Sequence, residues 1–176
     1  MYNEIETGTI ETGKLQCVFL LIYCRDGKPY KKYSLPNGRT LIPKVLSLSR
    51  HDGFVGFIGG KVDPGETLIE GLLREVKEET GLILNHNFKI EPLVTYSEPE
   101  ANIHSFSLEV TEMELKDMTA VISSSDNFGV EITGFALNHI EEYVQSGGVG
   151  QVLTQNWKCT SKFELEELIK QKKLLV

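Results

Sequence analysis

The stretch GKVDPGETLIEGLLREVKEETGL, from Gly60 to Leu82, decides the fold, because it specifies one helix from end to end and crowds one side of it with acid. Thr67 and Glu70 stand in the T-x-x-E relation of a capping box, in which each side chain satisfies a backbone N–H left free at a helix start. Gly81 follows the last turn, where a left-handed residue commonly ends a helix. Between these ends Leu68, Leu72 and Val76 recur every four residues and mark the side that faces a core, so the spacing predicts a helix over 67–80. Glu75, Glu78 and Glu79 are related as i, i+3 and i+4, which sets their carboxylates together on neighbouring turns.

Like charges at that spacing destabilise an isolated helix by roughly a few tenths of a kcal/mol per pair, and a local penalty of this kind often marks a functional site. Hard divalent cations take carboxylate oxygens together with water and phosphate oxygens, so the acidic face is a half-site suited to a phosphorylated substrate. Arg74 stands beside it and can hold a carboxylate by a bidentate pair. A solvated helix face, or an acidic scaffold for a partner, accounts for single glutamates but not for Gly60 and Gly81 at their spacing.

Gly60, Glu66, Arg74, Glu75, Val76, Glu78, Glu79, Gly81 and Leu82 occupy all nine fixed positions of the 23-residue loop, helix and loop motif of the Nudix hydrolases, and on these residues the chain is identified as a member of that superfamily. The resemblance implies an α/β/α sandwich with a mixed β-sheet and hydrolysis of a nucleoside diphosphate linked to another group. It implies that Glu75, Glu78 and Glu79 bind Mg²⁺ or Mn²⁺, with Glu78 and Glu79 as principal ligands and the carbonyl of Gly60 or its neighbour Gly59 joining the shell. Arg74 would orient a glutamate by a salt bridge, and Glu66 would tie the loop to the helix. Metal ions in such sites neutralise charge on bridging phosphate oxygens and lower the pKa of a bound water. Nudix enzymes often place the general base outside the motif, and Glu131 is the candidate; a charge at a strand edge is its plainer reading.

Working outward, Leu15 to Cys24 is a nearly continuous apolar run with the signature of a buried central strand. Residues 25–40 turn polar, with breakers at Asp26-Gly27, Pro29, Pro36 and Asn37-Gly38, and read as an exposed loop or irregular hairpin carrying Lys28, Lys31, Lys32 and Arg39. Strands are expected over 45–50 and 54–58, joined by His51-Asp52-Gly53 as a hairpin that delivers Gly59-Gly60. Further strands are expected over 91–97, 103–110 and 131–136, with helices over 112–121, near 139–145 and over 162–173. Gly147, Gly148 and Gly150 read as a turn, and Ser161 with Glu164 as a second capping box.

The run from Arg50 to Asp63, then Phe128-Gly129-Val130-Glu131, Gly147-Gly148-Val149-Gly150 and Asn156, resembles the Nudix branch that contains the U8 small nucleolar RNA decapping enzyme, also described as an inosine diphosphatase. That branch implies purine nucleoside diphosphates such as (deoxy)inosine diphosphate as substrates, with RNA caps or ADP-ribose groups as alternatives, and a homodimer. Arg50 would meet phosphate or base, Phe57 would line the base pocket, and Asn156 and Ser161 would add polar contacts. Phe57 reads equally as a core residue of its strand. Two positions depart from the branch: its first-strand histidine is replaced by an apolar run around Phe19, and the proline usual before Gly59 is Ile58. The basic loop with Tyr30 and Tyr33 has the charge and rings to guide RNA, although such loops are more often merely solvated. A Nudix-fold module that binds a nucleotide without turnover is the competing class, and it is expected to have lost motif glutamates that this chain retains.

The whole chain of 176 residues reads as a single domain, 1–176, large enough to bury a core without staples. Hydrophobic residues at 40% and charged residues at 24% are globular values, and no apolar run is long enough to span a bilayer. The polar start from Met1 to Lys14 lacks the pattern of a secretory signal, which implies a cytoplasmic protein, or a nuclear one in a eukaryote. A net charge of −7 requires a local basic patch before any polyanion can bind. Cys17, Cys24 and Cys159 do not make a disulfide framework; Cys17 and Cys24 are seven apart in one strand and so point to opposite faces.

Overall fold

A computed structural model describes residues 2–28, 40–85, 87–141 and 148–175. The chain runs β1 (Asn3–Ile5), β2 (Leu15–Gly27), β3 (Ile42–Arg50), β4 (Val55–Gly56), β5 (Ile58–Lys61), α1 (Leu68–Thr80), β6 (Ile90–Ser97), β7 (Ala101–Glu109), α2 (Glu112–Ser123), β8 (Ile132–His139), α3 (Gly148–Val152) and α4 (Ser161–Lys172). The apolar run becomes β2, the spine of a mixed eight-stranded sheet. It lies parallel to β7 on one side. On the other its first half pairs antiparallel with β5 and its second half with β3. Beyond these, β8 extends the sheet from β3, and β6 and β1 extend it from β7.

Alternation along β2 splits the core in two. Val18, Leu20, Ile22 and Cys24 pack with Leu72 and Val76 of α1 and with Leu115, Met118 and Ile122 of α2. Leu21 and Tyr23 pack on the opposite face with Val152 of α3 and Leu165 and Leu168 of α4. The architecture is therefore the expected α/β/α sandwich. Each fully buried leucine or valine contributes about 1.5–3 kcal/mol, so the two layers clamp the sheet from both sides. Cys24 joins the first core and Cys17 packs against the second, which confirms their opposite orientation; all three cysteines are free.

Several expectations change. The strand expected over 54–58 breaks at Phe57, because β4 belongs to β3 whereas β5 transfers to β2. The hairpin before it forms, with Gly53 in a positive-φ turn and the Arg50 N–H donating to the Phe54 carbonyl. The strand expected over 131–136 starts at Ile132 and runs on to His139, which pairs with Lys44, so no helix begins at His139. The rest of that helix, over 142–145, lies outside the described residues, as do Gly147 and the basic-loop residues Pro29 to Arg39. Gly148 and Gly150 are in the short helix α3 rather than a turn. The polar start adds an edge strand, β1, beside β6.

The second capping box does not form. Thr160, not Ser161, is the residue before α4, and no side chain caps that end. Glu164 turns inward instead and is completely buried, with the Thr160 hydroxyl donating to its Oε1 at 2.5 Å.

Candidate active site

Helix α1 begins as its sequence requires. The Thr67 hydroxyl accepts from the Glu70 N–H and the Glu70 carboxylate accepts from the Thr67 N–H, while Gly81 closes the other end in the left-handed conformation. With Leu72 and Val76 in the core, the glutamates of the last two turns lie against β5 and the turn before β8. Glu79 is buried at 6% exposure, and its Oε2 accepts the Gly59 N–H at 2.8 Å.

Two glycines make this approach possible. Gly59 has φ of 145°, and a Cβ there would lie 2.0 Å from the Val18 carbonyl oxygen, so no other residue fits between β5 and β2. A Cβ on Gly60 would lie 2.6 Å from Oε2 of Glu75, so the glutamate carboxylate occupies the space a side chain would take.

Arg74 organises the remaining acids. Its Nε donates to Oε1 of Glu66 at 2.9 Å and its Nη2 to Oε2 at 3.1 Å. Nη1 donates to Glu75 at 2.8 Å and to Glu78 at 3.1 Å, and Nη2 also reaches the Lys61 carbonyl at 2.8 Å. Hydrogen bonds from Arg74, and then from the Asp63 N–H, hold the Glu66 carboxyl below the usual carboxylate range. Glu66 thus joins the loop after β5 to α1.

Burial pushes the Glu79 carboxyl up to about 7; the Gly59 N–H and Arg50 oppose the shift, and the charges of Glu75 and Glu131 add to it. Glu131 therefore shares the electrostatic surroundings of Glu79. It stands just before β8, exposed, with its carbonyl accepting the His51 N–H at 3.1 Å. The Asn127 side chain donates to the Glu78 carbonyl and fastens this turn to α1, a connection that nothing in the local sequence of Asn127 announces.

Among the described residues, no three acidic, histidine or cysteine side chains are gathered around one point closely enough to hold an ion as they stand. Glu75 and Glu78 are drawn to Arg74 while Glu79 faces Gly59. The donor set nevertheless suits a hard divalent cation: carboxylate oxygens on neighbouring turns, one of them on a glutamate whose ionisation burial opposes and a cation would favour, and a glycine that leaves the Glu75 oxygens room.

The other expected site residues separate. Arg50 comes to the acidic helix, 3.6 Å from Oε1 of Glu79 and 3.7 Å from Oδ2 of Asp52. Its buried Nε finds no hydrogen-bond partner among the described residues. Phe57 is buried in the α4-side core and stacks on Trp157 at 5.5 Å between ring centroids. The Asn156 side chain donates to the Gly53 carbonyl at 3.3 Å and the Asn156 backbone carbonyl accepts the Val55 N–H, so the residue locks the β3–β4 turn. Ser161 is buried, and its Oγ stands 3.8 Å from where a Gly56 Cβ would be.

An α/β/α sandwich whose mixed sheet presents a Gly-Gly strand to a glutamate-bearing helix is the Nudix fold. A mutT/nudix family protein from Listeria innocua superposes with a TM-score of 0.58, covering 93% of this chain and 96% of that one at 16% identity. The Bacillus subtilis pyrophosphohydrolase BsRppH superposes with a TM-score of 0.53, covering 98% and 92% at 21% identity. The sequence profile of the Nudt16-like, U8 snoRNA-decapping enzyme-like family matches residues 16–175, and the chain belongs to that family within the Nudix hydrolases. The U8 snoRNA-decapping enzyme of Homalodisca vitripennis is 32% identical over 123 residues, which are 68% of this chain and 63% of that protein's length.

Proposed function

We propose that the chain hydrolyses a phosphate anhydride in a nucleoside diphosphate or nucleoside diphosphate-linked compound, with Mg²⁺ or Mn²⁺ held by Glu75, Glu78, Glu79 and the carbonyl of Gly60. The observation that carries this reading is Glu79, buried on the Gly59 N–H with Arg50 beside it and the Glu75 carboxylate pressed on Gly60. A divalent ion in such a site supplies charge neutralisation at the phosphate and an activated water. Arg74 positions Glu75 and Glu78 by its two Nη1 hydrogen bonds. Arg50, between Glu79 and Asp52, is the proposed contact to substrate phosphate or base, and Glu131, whose charge acts on Glu79, is the proposed acceptor of a proton from the attacking water. Phe57, stacked on Trp157, is the proposed backing of the base pocket, and Asn156, bonded to Gly53, and Ser161, beside Gly56, are the proposed sources of polar contacts.

Purine diphosphates such as inosine diphosphate are the first substrates to test. Capped RNA is the second reading, favoured by the identity to the Homalodisca decapping enzyme. No helix among the described residues is long and apolar enough to cross a membrane, and a homodimer in the cytoplasm or nucleus is the proposed setting. The test is a panel of inosine and guanosine diphosphates, ADP-ribose, dinucleoside polyphosphates and capped RNA, with and without Mg²⁺ or Mn²⁺. Metal-dependent release of a nucleoside monophosphate supports the reading, whereas metal-dependent binding with no turnover of any member selects the non-catalytic nucleotide module.

A further inference from the structure

We infer that Lys158 forms a second cationic subsite beside Arg50, one that takes the outer phosphate of substrates whose phosphate chain extends beyond the cleaved bond. The inference rests on the site proposed above and names a substrate class for it. Asp52 holds two cations on one oxygen: Oδ2 lies 3.0 Å from Nζ of Lys158 and 3.7 Å from Nε of Arg50. The hydrogen bond from Lys158 is the largest cause holding the Asp52 carboxyl below its usual range.

The placement of Lys158 is built. Its N–H donates to the Val55 carbonyl at 2.8 Å, and the Val55 N–H donates to Asn156, so residues 156–158 run as a bridge alongside β4. The ammonium stands 4.6 Å over the Phe54 ring, which steadies a cation without neutralising it. Between the two cations the floor is Gly56, where a Cβ would touch Arg50 Cδ at 3.7 Å and Lys158 Cβ at 3.8 Å. Arg50 is the nearer cation to the acidic helix, through Glu79, and Lys158 stands one carboxylate further out. A chain of several phosphates can keep one phosphate on Arg50 at the acidic helix while its outer one replaces Asp52 on Lys158, whereas a single phosphate held at the helix reaches Arg50 alone.

The competing account is that Lys158 and Asp52 form only a surface ion pair fastening the β3–β4 turn, since Lys158 is 41% exposed. Binding of inorganic phosphate, pyrophosphate and tripolyphosphate to the full chain separates the two, measured by calorimetry for Lys158→Met, Lys158→Arg and Asp52→Asn. For Lys158→Met the preference for tripolyphosphate over phosphate should fall about tenfold, the size of one lost charge-assisted hydrogen bond. Lys158→Arg should restore it, and Asp52→Asn should raise it by removing the competing carboxylate. Equal loss for all three anions in Lys158→Met, or weaker tripolyphosphate binding in Asp52→Asn, overturns the subsite. Because inorganic anions are the ligands, a Lys158-dependent preference in a chain that hydrolyses nothing would sustain the subsite while removing the hydrolase reading.

Discussion

The carboxylate of Glu75 rests on the bare Cα of Gly60, at a distance where any added Cβ would come within 2.6 Å of Oε2. The glycine that opens the motif is therefore a steric partner of a glutamate fifteen positions later, as well as a carbonyl in β5. Because the obstructing atom is the end of a flexible side chain, Gly60→Ala should fold, with Glu75 displaced. Disturbing the support that orients a metal ligand such as Glu75 costs about 10–100-fold in metal affinity or activity. Calorimetry with Mn²⁺ and a melting curve check this; unchanged metal affinity would show that Glu75 has no part in the metal site.

Gly59→Ala meets a different obstacle. Its Cβ would fall on the Val18 carbonyl, a backbone atom of the central strand, and its φ of 145° is strained for any L side chain. A destabilisation of at least about 3 kcal/mol is expected, from strain and overpacking together. Gly134→Ala, whose Cβ would meet Ser49 at an ordinary 3.8 Å, should stay within about 1 kcal/mol of the parent. Chemical denaturation of the pair gives the comparison, and similar midpoints would refute the packing of β5 on β2.

Arg74→Lys keeps the charge but loses the fork that serves Glu66, Glu75, Glu78 and the Lys61 carbonyl together. The expected result is kcat/KM lowered about 10–100-fold with a nearly unchanged melting temperature. Steady-state kinetics beside a thermal scan test it, and full activity would mean that the glutamates position themselves.

Burial pushes the Glu164 carboxyl up to about 7, with the Thr160 hydroxyl opposing the shift. Its folded pKa thus exceeds its unfolded value near 4.5, so the folded state holds the proton more tightly. Stability from this group is unaffected below pH 4.5, falls as pH rises towards 7, and above that is lower by about 3 kcal/mol at most. Glu79 titrates in the same window, so the informative quantity is the difference between the parent and Glu164→Gln. The variant should gain relative stability between pH 5 and 8; parallel curves across that range would contradict the assignment.

The sequence is most readable where interactions are local. The caps of α1, its core stripe and the crowding of Glu75, Glu78 and Glu79 all arise within a few turns, and all are found. Registers set by distant partners were not readable. Phe57 interrupts a strand because the sheet changes partners there, and β1 exists because the edge of β6 accepts it. Ser161 and Glu164 carry the spacing of a capping box, but Glu164 enters the α4-side core from one position further into the helix. Arg50 was readable as a candidate ligand, whereas its place between Glu79 and Asp52, and the Lys158 that shares Asp52, emerge only once β4 meets residues 156–158.

The central claim is that the carboxylates of α1 hold a divalent cation on which cleavage depends. Mn²⁺ titration followed by electron paramagnetic resonance, on the parent and on Glu79→Gln, with phosphate release from inosine diphosphate recorded on the same samples, tests it most directly. Saturable Mn²⁺ binding and metal-dependent release in the parent, both lost in a Glu79→Gln protein that melts at or above the parent temperature, is the predicted result. Equal Mn²⁺ binding by the two proteins, or hydrolysis that persists in excess chelator, would contradict it.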